Sequence, residues 1–308
     1  MSTEIAQRLQ VAIASMPGWR PDKVTAQPLP GGLMNSNWLV SHAGAEYVLK
    51  LYGPGTEQFI DRELSYRASI QAGELKIAPR VVRFDMGLGF ELVEYLSGYR
   101  PATNADFSRK DFLQSVVDLQ RVFNSGTQLP VTKDVFAMTD EHIEQCRDVG
   151  AILPADIDWL LFQYRRAKAA FVASGLDLAP CHNDPMPGNF LVTMSDDDRI
   201  TDMKVIDFEF ASNNERAYDI GVFLGEMFVD EPTTLEMVER YYGALRPELV
   251  ARVWVARAVA DVKWGFWAVQ QRQLSKWDFD YQKYGIWKYA RARALFDDPR
   301  WNMWLRQI

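Results

Sequence analysis

Cys181-His182-Asn183-Asp184-Pro185-Met186-Pro187-Gly188-Asn189 runs directly into the apolar stretch Phe190-Leu191-Val192, and Val205-Ile206-Asp207-Phe208-Glu209 comes after it. Asp184 is separated by four residues from the carboxamide of Asn189, and Asp207 comes eighteen positions later. Phosphoryl transfer needs such a set. The transferring group carries spread negative charge, which calls for Mg²⁺ held by hard oxygen ligands, and Asn189 and Asp207 supply them. The acceptor hydroxyl must be oriented and lose its proton, which calls for a carboxylate free of the metal. Asp184 suits that role. Pro185, Pro187 and Gly188 keep the segment out of a helix, so that Asp184 and Asn189 can converge. His182 reads as a brace for the loop, not as a titrating group. Either half could be an ordinary turn or strand end; their joint occurrence beside two short strands favours the chemistry.

The pattern H-N-D-x-x-P-G-N followed by I-D-F-E-[FY]-A resembles the aminoglycoside phosphotransferase and choline kinase superfamily. The downstream runs Asn213-Asn214-Glu215-Arg216-Ala217-Tyr218-Asp219-Ile220-Gly221 and Trp264-Gly265-Phe266-Trp267-Ala268-Val269-Gln270 are similar to choline and ethanolamine kinases, and with the N-terminal part the likeness spans nearly the whole chain. It implies an α+β, two-lobed protein-kinase-like fold: a small N-terminal lobe of antiparallel sheet plus helix, and a larger, mainly helical C-terminal lobe. The boundary is expected at 96/97, with a hinge over about 95–101.

Composition agrees with that size. The 308 residues are 48% hydrophobic and 24% charged, enough for two lobes with their own cores. A formal charge of −7 argues against a nucleic-acid binder, whose footprint is a basic stripe. Two cysteines form no disulfide framework, and three histidines are too few and scattered for a zinc site. No apolar run reaches the ~18 residues of a membrane span, which makes the cytoplasm the expected compartment. Oligomeric state is not encoded in any pattern we can read.

Residues 3–15 pattern as an amphipathic helix ending before Pro17-Gly18. Val24–Leu29 and Trp38–Ser41 pattern as strands joined by a glycine-rich turn, in which Gly31 and Gly32, with Asn35 and Ser36, can bring backbone close to phosphate oxygens. The turn lacks both standard phosphate-loop spacings, so a nucleotide role for it depends on the next strand. Lys50 lies inside that strand, Tyr47–Tyr52; in kinase-like folds the position holds the α and β phosphates, and the helix expected over 57–72 carries Glu63, the acid that pairs with the lysine in the family. Val81–Phe84 and Phe90–Tyr95 complete the sheet. Glu94 and Leu96 are the expected backbone contacts for adenine. Helices are expected at 107–125, 138–148 and 156–173, strands at 190–194 and 203–207, and the three aspartates 196–198 read as a solvated hairpin tip. The resemblance gives Asp219 a structural role, hydrogen-bonding the catalytic loop.

Seven of ten tryptophans lie beyond residue 250. Trp264 and Trp267 share one face of a helix expected over 247–273, and Tyr281 and Tyr284 repeat the spacing on the next. A quaternary ammonium cannot donate an N–H, so proteins hold it with aromatic faces at about 0.5–2 kcal/mol per ring. Aromatic stripes are more often core; the likeness to choline kinases, whose two motif tryptophans line the choline pocket, points to a cage of Trp264, Trp267 and Tyr284. A tyrosine of those enzymes is absent here, where Phe228-Val229-Asp230-Glu231 stands. Glu226 could supply an opposite charge. The expectation is therefore an ATP- and Mg²⁺-dependent kinase acting on choline or ethanolamine; aminoglycoside or thiamine kinases and a catalytically dead nucleotide-binding scaffold are the alternatives.

Overall fold

The computed structural model describes residues 3–31, 35–56, 60–275 and 278–308. It divides into two compact units, Met1–Thr103 with Gly188–Phe210, and Asn104–Pro187 with Ala211–Ile308. A single cut at 96/97 does not describe this. The short strand β6 (Arg100–Pro101) pairs with β8 (Phe190–Met194), which pairs with β9 (Ile200–Val205), so the hairpin flanked by Asn189 and Asp207 stays with the N-terminal unit as a small sheet of its own.

In the first unit, β1 (Thr25–Leu29), β2 (Ser36–His42), β3 (Ala45–Leu51), β4 (Val81–Asp85) and β5 (Phe90–Glu94) form an antiparallel sheet in the order β1-β2-β3-β5-β4. Strand side chains alternate between faces. Trp38, Val40, Leu49, Leu51, Phe90 and Leu92 point to one face and bury against Leu9, Ala12 and Ile13 of helix α1 (Thr3–Ala14) and Met16 just beyond it. The same alternation sends Lys50 and its cross-strand partner Glu91 to the other face. Helix α2 runs Arg62–Glu74, starting later than the expected residue 57, because the Asp61 carboxylate accepts the Leu64 amide and caps it there. Glu57 lies outside the described residues.

The second unit is mainly helical: α3 (Lys110–Asn124), α4 (Val135–Asp148), α5 (Ile157–Ser174), α6 (Arg216–Glu226), α7 (Glu231–Tyr242), α8 (Pro247–Leu274), α9 (Tyr281–Phe296) and α10 (Trp301–Gln307). Strands β7 (Leu178–Cys181) and β10 (Ser212–Glu215) form a two-stranded ribbon with Ser212 opposite Cys181. Helix α8 is buried on nearly all sides and packs against α4, α6 and α9. Gly265 permits that approach, since a Cβ there would stand 2.7 Å from the buried Tyr289 ring of α9. Among the described residues no helix is long and apolar enough to cross a membrane.

Gly265→Ala overpacks this contact and is expected to destabilise the protein by about 1–3 kcal/mol, read as a lower urea midpoint with an unchanged slope.

Candidate active site

The second face of the five-stranded sheet opens on a cavity of about 460 Å³. Gly31, Asn37, Val48, Lys50, Glu91, Glu94, Leu96, Asn189 and Asp207 are among its lining residues. Lys50 Nζ lies 2.7 Å from Asp207 Oδ1 and 3.8 Å from Glu209 Oε1. Burial alone would lower the ammonium's pKa, but Asp207, then Glu209 and Glu91, more than offset it and hold Lys50 protonated. Asp207 adopts φ +70°, a left-handed conformation costing a non-glycine residue about 1–2 kcal/mol. The Ile206 amide, bonded to the Asn189 carbonyl at 2.8 Å, ties the two ends of the hairpin together. One carboxylate and one amide on adjoining chain segments are the hard donors Mg²⁺ takes, and they fit it; no cluster of three or more His, Cys, Asp or Glu side chains suited to a metal occurs among the described residues.

The expected Lys50–Glu63 pair does not form. Glu63 is 56% exposed and bonds Arg67 one turn along α2, while its neighbour Arg62 turns inward to Glu209. Adjacent helical positions point about 100° apart, so only one of the two can face the sheet. Asn35 donates to Glu209 at 2.7 Å and accepts from the Gly53 amide at 3.2 Å, buttressing the acid. Asn35 and Ser36 are not among the residues lining the cavity, and Gly32 lies outside the described residues. At the hinge, the Glu94 amide is already bonded to the Arg80 carbonyl and the Tyr95 amide to the Glu46 carbonyl. Leu96 is therefore the better donor toward a ligand.

In the second unit, Asp184 sits on the loop after β7. Asp219 is fully buried, and its carboxylate accepts the Asn183 amide (2.8 Å), the His182 amide (3.2 Å) and the Asn124 side-chain amide (3.0 Å). Asn183, at φ +68°, donates to Ser212 Oγ and accepts from Asn214, both at 2.9 Å. His182 Nδ1 receives the Asp184 amide at 3.3 Å. These bonds hold the loop in a conformation that neither helix nor strand would give.

The aromatic residues also meet. The rings of Trp264 and Trp267 stand edge-to-face at 5.4 Å, and those of Trp267 and Tyr284 at 5.8 Å. Glu226 is not available as a lone counter-charge: it is paired with Lys288 and, at 2.7 Å, with Arg291, which also binds Asp261. Burial would raise the Glu226 pKa, and those two cations lower it instead. Two lysines sit on the rings themselves, Lys263 with Nζ 3.1 Å from the Trp264 centroid and Lys288 4.6 Å from that of Tyr284.

Residues 25–259 match the phosphotransferase enzyme family. The chain belongs to that family. Among relatives, it is 25% identical over 220 residues to protein LicA of Haemophilus influenzae, covering 68% of this chain and 61% of LicA. It is 22% identical over 330 residues to a mouse choline/ethanolamine kinase, covering 90% of this chain and 80% of the enzyme. The crystal structure of a choline/ethanolamine kinase family protein from Mesorhizobium loti superimposes with a TM-score of 0.82 at 24% identity, covering 98% of both chains. The fold is thus that of the phosphotransferase family's kinase-like members, and the chain is a small-molecule kinase of this superfamily.

Sequence reasoning passed over Arg62, Glu209, Asn124, Asn183 and Lys263. Glu209 sits in the quoted I-D-F-E run, two residues after Asp207, and that proximity was a usable signal; nothing in the sequence marks Lys263. Glu209→Ala strands the buried Arg62 guanidinium and is expected to cost about 3–5 kcal/mol. Glu63→Ala should change stability by less than about 0.5 kcal/mol, both read by chemical denaturation.

Proposed function

We propose that this protein transfers the γ-phosphoryl group of ATP to the hydroxyl of a small cationic amino alcohol, choline first and ethanolamine second, in the cytoplasm. The observation that carries the reading is Lys50 held against Asp207 in a cavity that Asn189 and Leu96 also line. The same chain pins Asp184 on its own loop in the second unit through Asp219.

Lys50, kept charged by its acid neighbours, binds the phosphates, with the Gly31 backbone beside it; the Leu96 amide offers a hydrogen bond to the base. Asn189 and Asp207 would hold Mg²⁺, whose chemistry is to neutralise charge on the phosphates. Asp184 accepts a hydrogen bond from the acceptor hydroxyl, orients it and takes its proton as the bond to phosphorus forms. Trp264, Trp267 and Tyr284 hold the ammonium head. The relatives named for choline and ethanolamine support this acceptor class, and the aromatic residues favour it over an aminoglycoside, whose several amines call for carboxylates.

ADP release measured on choline, ethanolamine, thiamine and an aminoglycoside under identical conditions tests the acceptor. Turnover should be highest on choline or ethanolamine; an aminoglycoside or thiamine turned over best would replace the assignment. Asp184→Ala should lower kcat by about 10²–10⁴-fold with the KM for ATP within a few-fold of wild type. Loss of ATP binding instead would remove the general-base role.

A further inference from the structure

Lys263 is a departure that the proposed reaction does not use. It precedes Trp264 in the buried middle of α8, is 1% exposed, and its ammonium lies 3.1 Å from the centre of the Trp264 ring. An ammonium over an indole face is the geometry by which a protein holds a cationic ligand. The ring face that a trimethylammonium head would take is thus already taken by the chain's own charge. Two like charges cannot share one buried face without strong repulsion.

We propose that Lys263 is a specificity-determining residue: its ammonium is a built-in competitor for the Trp264 face, and a cationic head enters that face only as Lys263 gives up its proton. The inference rests on the amino-alcohol reading of the acceptor. The surroundings permit the exchange. Burial pushes the Lys263 ammonium down to about 7, with Asp184 the strongest charge opposing that fall. The other charges acting most strongly on it are Lys288 of α9, Lys133 ahead of α4 and Glu141 within α4. His142 of α4 also faces it but is held down to about 3, by burial first and by Lys263 second, and so stays neutral. On α6, Tyr218 is a buried phenol pushed far up, by burial first and by Asp184 next, and Glu226 is spent on Lys288 and Arg291. Asp184 is thus the main opposite charge, and an entering cation would tip a nearly balanced lysine to its neutral form. Below its pKa Lys263 excludes the cation; above it the face is open.

The test is direct binding of tetramethylammonium chloride to the full chain from pH 6 to pH 9, followed by tryptophan fluorescence and by calorimetry in buffers of different ionisation heat. The wild-type Kd is expected to fall about fivefold between pH 6 and pH 7, about tenfold in all by pH 8, and to flatten above that, with close to one proton released at the acid end. Lys263→Met should bind at every pH at least as tightly as wild type at pH 9, with a flat profile; Lys263→Arg should bind weakly throughout. A flat wild-type profile, no binding by either wild type or Lys263→Met, or weaker binding by Lys263→Met at pH 9 would overturn the inference. ADP release on choline and ethanolamine is followed separately. No turnover with the proton-linked profile intact would remove the acceptor reading alone, and turnover with a flat profile would remove the Lys263 assignment alone.

Discussion

A lysine ammonium and a carboxylate 2.7 Å apart, both largely withdrawn from water, set the terms for the first unit. Withdrawing either charge alone costs several kcal/mol, and the loss is offset only where the partner is held in place. The pair therefore requires β3 to present Lys50 on the face away from α1, and the end of β9 to turn back at Asp207. Glu209 extends the network to Arg62 of α2, whose guanidinium stacks 3.9 Å over the Tyr52 ring, and to Asn35. Three acids, Glu91, Asp207 and Glu209, meet two cations, Lys50 and Arg62, so the face retains room for a further positive charge. Burial raises the Glu91 pKa, which softens that excess.

The second unit solves a different problem with mostly neutral groups. The loop carrying Asp184 leaves its amides out of any ladder, and buried amides without partners are expensive. Asp219 answers for two of them, and Asn183, Asn214, Ser212 and Asn124 close the remaining bonds. A run of asparagines that looks like surface loop by composition is in fact one of the most buried parts of the protein.

This contrast explains what could be read from the chain beforehand. The five strands, the α1 brace and helices α3, α4, α5, α8 and α9 of the second unit were legible because alternation and helical spacing report directly on burial. The loop-and-strand stretch at 181–209 was legible because the chemistry demands particular residue types at short range. The α2 register was not. Asp61 rather than residue 57 starts the helix, and that shift decides whether residue 62 or 63 faces the sheet, a distinction that hydrophobic periodicity cannot draw between two charged neighbours. The β6 pairing was not legible for a related reason: a two-residue strand, Arg100–Pro101, carries too little pattern to reveal that it pairs with Val192 and Leu191.

The aromatic residues mark the limit of periodicity as a guide. Ring spacing along α8 and α9 correctly brings Trp264, Trp267 and Tyr284 together, yet a cage is defined by what its faces meet, and side chains on α8 itself and on α9 reach those faces first. Lys288 can rest on Tyr284 because Glu226 neutralises it, and Glu226 is thereby withdrawn from any ligand. Lys263, facing Asp184 as its main opposite charge, is held less firmly in the charged form. Of the two ring-bound lysines, Lys288 is thus fixed by its acid, and if the rings receive the acceptor as proposed, its selection turns less on how many rings there are than on how easily Lys263 yields its place.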